Sequence, residues 1–245
     1  MRRDLLYGLD PVLWCRDVLG LALDPQQAKL VASRGRRELL NCCRQWGKST
    51  TTAAAALHEV VYTAGSRTVI VAPSARQSGL LLASVESMAN RLALPLSALG
   101  GDDPGFRCAG GGEVIALPSA EATTRGVSGV TWLIVDEAAR VADDLWHSVR
   151  AYLATTGGRI WLLSTPFGQR GFFYDESRSG RYNVTEVPAS ACPRISPEFL
   201  QEQKVSMPLA WFLQEYGCQF TSIDGGVFDH GLVAASLSGD VEGLW

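Results

Sequence analysis

CCRQWGKST (42–50) stands between an apolar run, RELLNC (37–42), and an alanine-rich stretch, GKSTTTAAAALHEVVYTAG (47–65), which Gly65 closes. The run reads as a buried strand and the stretch as a helix. In such a strand–turn–helix the backbone N–H groups of the turn and of the first helical residues point, unpaired, at one place, where an anion is favoured. Lys48 there reaches toward the outer phosphates of a nucleotide, and the Ser49 hydroxyl serves a magnesium ion. The strict pattern wants glycine at 42; this chain has Cys42, a small side chain in its place.

Outward from that turn the chain alternates. RTVIVAPS (67–74) is β-branched and bounded by Ser and Pro, hence a strand; RQSGLLLASVESMANRLA (76–93) is a helix. LGGDDPGFRCAGGGE (99–113) is expected to be loop or hairpin tip. EVIALPS, TWLIVDEA and GGRIWLLSTPFG (113–119, 131–138, 157–168) supply three more strands, with a helix around 141–154 between the last two. YNVTEVPAS (182–190) reads as a final strand, followed by helices in SPEFLQEQKV (196–205) and PLAWFLQEYGCQF (208–220), where Trp211, Phe212 and Tyr216 are spaced for packing. Strands apolar on both faces that alternate with helices predict an α/β fold, a mostly parallel sheet covered on both sides.

TWLIVDEAA (131–139) runs from apolar residues into Asp136 and Glu137. Beside a phosphate-binding turn, the first carboxylate serves the magnesium shell and the second polarises an attacking water as general base. The two motifs together predict a magnesium-dependent NTPase. A strand–helix–strand unit separates them, which points away from small kinases and GTPases. A later strand ends in Ser164 and Thr165, whose hydroxyls can hydrogen-bond toward the γ-phosphate and report its loss.

Composition agrees. The chain has 245 residues, 47% hydrophobic and 19% charged, with a formal net charge of −3, enough apolar material for a core and too little charge for a self-repelling coil. No apolar run reaches the ~18 residues that span a bilayer, and MRRDLLYGLD lacks the apolar segment of a signal peptide. The six cysteines form no CxxC pair and the three histidines are scattered, so neither a disulfide framework nor a metal centre is read. The acidic balance excludes a chain-wide nucleic-acid footprint but allows a local basic stripe, for which Arg34-Gly35-Arg36-Arg37 and Arg178/Arg181 are the candidates.

In this order the motifs resemble the large terminase subunit of tailed bacteriophages, over about residues 20–230. DPQQ (24–27) looks like that family's adenine-recognising Q motif, with Gln27 as reader; CRQWGKS (43–49) is similar to its deviant Walker A; APSARQS (72–78) resembles the segment after its second strand; RGVSGVTWLIVDEAA (125–139) matches the run into Walker B; and LLSTP (162–166) matches the coupling motif. The resemblance implies a RecA-like P-loop NTPase of the additional-strand, catalytic-glutamate class, with ATP and Mg2+ as cofactors. The nucleotide would be held by Gln27, Cys43, Arg44, Gln45, Trp46, Gly47, Lys48, Ser49 and Thr50, and the magnesium by Ser49 and Asp136. It also implies a homo-oligomeric ring that works with a portal protein and a small terminase subunit to pump double-stranded DNA into a procapsid, in the host cytoplasm, with no membrane involved.

Four segments follow: an N-terminal helical segment with the Q motif (1–36), the ATPase core (37–190), a small C-terminal helical subdomain (191–224), and a linker (225–245) toward a nuclease domain, in which VFD (227–229) resembles the nuclease's beginning. The residues after GGVFDHG (225–231) are too few for a nuclease fold, and their only acids, Asp240 and Glu242, cannot assemble a two-metal carboxylate cluster, so no endonuclease activity is expected of this chain. Two arginines are candidates for stabilising the charge that hydrolysis builds: Arg44 within its own subunit, and Arg125 toward a neighbour's site. The competing readings are a superfamily-two helicase-like remodeller, which shares the Q motif and both Walker motifs, and a nucleotide-binding module without turnover.

Overall fold

The computed structural model describes residues 2–100, 104–117 and 127–221. In chain order its elements are α1 (Arg2–Leu9), α2 (Pro11–Asp17), α3 (Pro25–Ala32), β1 (Arg37–Cys42), α4 (Lys48–Tyr62), β2 (Arg67–Val71), α5 (Ala75–Arg91), β3 (Leu96–Ala98), β4 (Gly105–Cys108), β5 (Glu113–Ala116), β6 (Trp132–Asp136), α6 (Asp143–Arg150), β7 (Arg159–Ser164), α7 (Gly171–Arg178), β8 (Asn183–Val187), α8 (Pro197–Ser206) and α9 (Leu209–Gly217). The strands form one sheet in the order β3-β4-β5-β2-β6-β7-β1-β8. β3, β4 and β5 pair antiparallel and the rest are parallel.

The central strands are buried on both faces and deliver alternate residues to two cores. Leu40, Ile70, Ile134, Trp161 and Leu163 enter the core shared with α2, α3, α4 and α5. Leu39, Val69, Val71, Leu133, Val135, Ile160 and Leu162 enter the other, with Leu145, Trp146, Val149, Phe172 and Phe173 of α6 and α7. Each such side chain contributes about 1.5–3 kcal/mol by leaving water. Trp132 and Trp161 meet edge to face on neighbouring strands, ring centroids 4.7 Å apart.

Strand order decides where chemistry can happen. β7 lies between β1 and β6, so the strand that enters the glycine turn and the strand that ends in two carboxylates flank the strand that ends in Ser164. Asn41 is in register with Ser164, and Asp136 with Leu163, so all three strand ends emerge at one edge. Ligands bind at such an edge in open α/β sheets.

Three local expectations are corrected. The glycine-rich run at 99–113 contains a strand, Gly105–Cys108, with Phe106 and Cys108 buried. Its glycine reflects strand proximity: a Cβ on Gly105 would lie 2.5 Å from the Val114 carbonyl oxygen. The helix expected around 141–154 is α over Asp143–Arg150 only, and continues as a 3-10 turn over Ala151–Leu153. On α9, Phe212 packs with Tyr216 at 5.5 Å, but Trp211 is exposed; with Arg140, Phe167 and Arg170 it lines a cavity of about 330 Å³. The six cysteines are buried and unbridged, as the sequence implies.

Candidate active site

The turn after β1 is held from below. Cys43 N–H donates to the Val187 carbonyl at 3.0 Å and Arg44 N–H to the Glu215 carbonyl at 3.1 Å, tying the turn to β8 and α9. Gln45 and Gly47 have positive φ, 62° and 92°, which turn the chain sharply into α4. A non-glycine residue in the left-handed region costs of order 1 kcal/mol and persists where surrounding structure enforces it. Lys48, the first residue of α4, is buried, and its Nζ donates to the Cys42 and Cys43 carbonyls at 3.4 and 3.2 Å. Burial raises the Cys42 thiol well above its ordinary range and the Cys43 thiol to about 11, so both stay neutral beside an anion site.

Gln27 braces this turn. Asp24 and Gln27 form a capping box at the start of α3, the Gln27 amide oxygen accepting from the Asp24 N–H at 3.0 Å. The amide nitrogen donates to the Trp46 carbonyl at 2.9 Å. Both ends of this buried amide are therefore engaged beneath the turn, and the cavity does not include it. Arg194 joins the same knot, bonded to Asp24 at 3.0 Å and to the Trp46 carbonyl.

Asp136 ends β6 with 8% of its surface exposed, accepting the Glu137 N–H at 3.1 Å. Burial, then the neighbouring Glu137 charge, pushes its pKa up to about 6, against a partial offset from Lys48. A buried carboxylate so destabilised as an anion is one that a cation would relieve. Among the described residues no cluster of three or more His, Cys, Asp or Glu could hold a metal. Mg2+ needs none: one carboxylate, a hydroxyl such as Ser49, phosphate oxygens and water suit it. The residues present therefore fit the ion.

Glu137 is also left-handed, φ 49°, and this bend turns its carboxylate away from the strand line. Its partner is Arg140, which the sequence reading did not single out. Arg140 Nη1 lies 3.2 Å from Glu137 Oε2 and 3.2 Å from Thr165 Oγ1, and Nη2 lies 3.4 Å from Glu215 Oε1. Its guanidinium rests over the Phe167 ring, 4.7 Å from the centroid. Arg140 follows Glu137 by three residues, and that spacing was the available signal. What it reaches depends on β7 and α9, which no spacing shows. Glu215 takes a second arginine, Arg44, through Nε.

These groups surround one cavity of about 440 Å³, bounded by the 44–50 turn, Gln77, Glu137 and Arg140. Of the residues expected to hold a nucleotide, Arg44, Gln45, Gly47, Lys48, Ser49 and Thr50 line it. Cys43 and Trp46 point into the core, and the Cys43 backbone is already taken by Val187 and Lys48. Asp136, Ser164 and Thr165 lie buried at the strand ends behind it, and Ser164 Oγ has no hydrogen-bond partner. Gln77, at the start of α5, lines the cavity, whereas Arg76 does not. Arg125 lies outside the described residues, as do the 225–245 segment with VFD (227–229), Asp240 and Glu242.

No family model matches the chain. The large terminase subunit of Thermus virus P23-45 is 22% identical over 254 residues, which take in 86% of this chain and 51% of that protein. The ATPase domain of the Thermus phage P74-26 large terminase superposes with a TM-score of 0.74, at 20% identity, over 87% of this chain and 100% of that domain. By sequence and by fold, the chain is similar to the large terminase ATPase domain. It spans about half the length of the curated terminase subunits it matches. The fold is that of the additional-strand P-loop class, β7 being the additional strand. A large terminase from a thermophilic bacteriophage, solved in complex with ATP-gamma-S, superposes with a TM-score of 0.62 at 8% identity, over 87% of this chain and 52% of that one.

Proposed function

We propose that the chain is the ATPase domain of a phage DNA-packaging motor, hydrolysing ATP with Mg2+ to drive double-stranded DNA into a procapsid. The observation that carries this is the single cavity in which the 44–50 turn, Lys48, Glu137 and Arg140 meet at one sheet edge. In this reading the backbone N–H groups from Gln45 to the start of α4 hold the phosphates, with Lys48 on the outer ones. Ser49 and Asp136 would hold Mg2+, which when bound would supply positive charge to the phosphate oxygens. Glu137 orients the attacking water and takes its proton; Arg140 fixes that carboxylate. Arg44, on the rim, supplies positive charge to the γ-phosphoryl oxygens, and Arg125 is the candidate from a neighbouring subunit in a ring. Ser164 and Thr165 pass the loss of phosphate to the α8–α9 segment.

Of the four segments, 1–36 and 191–224 then brace the nucleotide turn of the 37–190 core through Gln27, Arg194 and Glu215. Portal protein, small terminase subunit and duplex DNA are the partners of the assembled ring, acting in the host cytoplasm during virus assembly. Among the described residues no helix is long and apolar enough to cross a membrane.

The test is Mg2+-dependent ATP hydrolysis across a range of protein concentrations, with and without duplex DNA. Lys48→Ala should abolish binding and turnover, and Glu137→Gln should bind ATP without turning it over. Full turnover by Glu137→Gln would overturn the mechanism, and ATP binding without turnover at any concentration would favour a non-hydrolysing module. A steep rise of turnover with protein concentration supports a catalytic group donated between subunits.

A further inference from the structure

At the opposite edge of the sheet, where β1 and β7 begin, Arg36, Arg37 and Arg150 surround a second cavity, of about 270 Å³. Its remaining lining is Leu153, Ala154, Gly157, Gly158 and Ile160, with no carboxylate. The floor is built to stay open. Gly157 has φ +57°, and a Cβ there would lie 2.5 Å from Arg36 Nη2; a Cβ on Gly158 would lie 2.4 Å from the Thr131 carbonyl oxygen. Arg36 is positioned by the Gly157 carbonyl, Arg37 lies 5.8 Å from the Tyr182 ring centroid, and Arg150 lies 5.9 Å from that of Trp146.

Among the described residues, several arginines away from this cavity are paired with carboxylates. Arg67 and Arg107 are paired with Glu113, Arg44 and Arg140 with Glu215, Arg159 with Glu59, and Arg194 with Asp24. Around the second cavity, Arg150 is 3.9 Å from Glu176, a buried carboxylate that Arg181 already holds at 2.8 Å. Glu38, the residue after Arg37, is buried and takes Ser33 and Asn183. Arg34 is exposed and bonded to the Leu9 carbonyl at 3.4 Å. In a chain of net charge −3, Arg36 and Arg37 are held by a carbonyl and a ring, and Arg150 shares Glu176 with Arg181. The carbonyl and the ring orient the guanidinium planes without neutralising them, which suits phosphate oxygens.

We propose that this arginine cradle binds the phosphodiester backbone of duplex DNA, independently of sequence. The inference rests on the reading of the chain as a DNA-translocating ATPase and gives that reading its DNA-contacting surface. Arg36, Arg37 and Arg150 together carry three positive charges, so the ligand that matches them carries more than one phosphate. β1, six residues long, separates the cradle from the nucleotide turn by about 20 Å at ~3.3 Å per residue. DNA and nucleotide would thus sit at opposite ends of the same strands.

The experiment measures affinity for a labelled 30-base-pair duplex as salt is varied, with inorganic phosphate as a competing probe. Variants are Arg37→Gln, Arg150→Gln, their combination, and Ala154→Glu, which adds a carboxylate to the cradle while removing no contact. Arg107→Gln, on β4 and paired with Glu113, is the control. Each single cradle variant should weaken binding about 3–10-fold regardless of sequence; Arg37→Gln and Arg150→Gln should each reduce the salt slope by about one, and their combination by about two. Basal ATP hydrolysis and melting temperature should stay unchanged, and so should the control's DNA binding. Wild-type binding to DNA with no change in the cradle variants overturns the proposal and leaves the ATPase reading intact. Variants that alter only self-association overturn it in favour of a subunit contact, and saturable inorganic phosphate binding without duplex binding limits the cradle to a small anion and also overturns it. Should the arginine variants unfold, Ala154→Glu alone decides.

Discussion

Arg140 Nη1 sits 3.2 Å from Glu137 Oε2, and the same nitrogen sits 3.2 Å from Thr165 Oγ1. One guanidinium therefore fixes the carboxylate after β6 against the hydroxyl after β7, while its other nitrogen reaches Glu215 of α9. Movement at any of the three is felt by the other two, because a planar guanidinium cannot serve one without turning against the rest.

If Arg140 places Glu137, Arg140→Ala should lower kcat by roughly 10–100-fold while nucleotide affinity changes less than about threefold, since the lost contact matters in the transition state. Arg140→Lys should recover only part, lacking the second donor. Steady-state hydrolysis beside nucleotide binding separates the two effects; an equal loss in affinity and rate would make the residue a scaffold for the turn.

Glu215 accepts both Arg44 and Arg140, so its removal leaves two cations facing each other across the cavity. Because both arginines keep access to water, Glu215→Ala should cost only about 1 kcal/mol of stability. Its larger effect should fall on the coupling between ATP turnover and α9, read as protease or hydrogen-exchange protection of residues 209–217 that no longer responds to nucleotide.

Asp136 carries the sign that distinguishes a metal ligand from a stabilising acid. Its folded pKa is raised from 3.8 to about 6, so the folded protein holds that proton more tightly than the unfolded chain. Stability from this group is present at low pH and is lost as pH rises from about 4 to 6. A shift of two units amounts to ~3 kcal/mol. Asp136→Asn should therefore melt several degrees above the parent at pH 7 without Mg2+, and the difference should vanish near pH 4. The same substitution should abolish Mg2+-dependent hydrolysis, and parent activity should fall as pH drops below about 6. An unchanged melting temperature at pH 7 would show that Asp136 is not a destabilised anion.

Gln27 has its amide engaged on both sides, by Asp24 and by Trp46. Gln27→Ala should lose about 1–2 kcal/mol of stability from the cap and the buried bond. It should weaken ATP and GTP binding in parallel, because it acts through the turn. A loss confined to ATP would restore Gln27 as a reader of adenine.

Much of this site was legible before any coordinates. RELLNC ends where β1 ends, at Cys42, because the chain turns sharply after it, with Gln45 and Gly47 at positive φ. Lys48, Ser49 and Glu137 line one cavity, with Asp136 at the neighbouring strand end, for a related reason: the backbone geometry that gathers N–H groups at an anion is local, and so is a strand that ends in carboxylates. β4 was missed because its Gly105 reads as loop when only the approach of Val114 explains it.

The chain by itself determined the elements, their alternation and the residue types at each strand end, since burial periodicity and turn chemistry act over a few residues. Tertiary structure decided which ends meet. Sheet order set β7 between β1 and β6, and α9 came back from the far end of the described chain to place Glu215 against Arg44 and Arg140. It likewise gathered Arg36, Arg37 and Arg150 around two glycines at the opposite edge. Guanidiniums act at hydrogen-bond range, so what an arginine does depends on neighbours distant in sequence, as far as Glu215 is from Arg44, which only the packed sheet brings within reach.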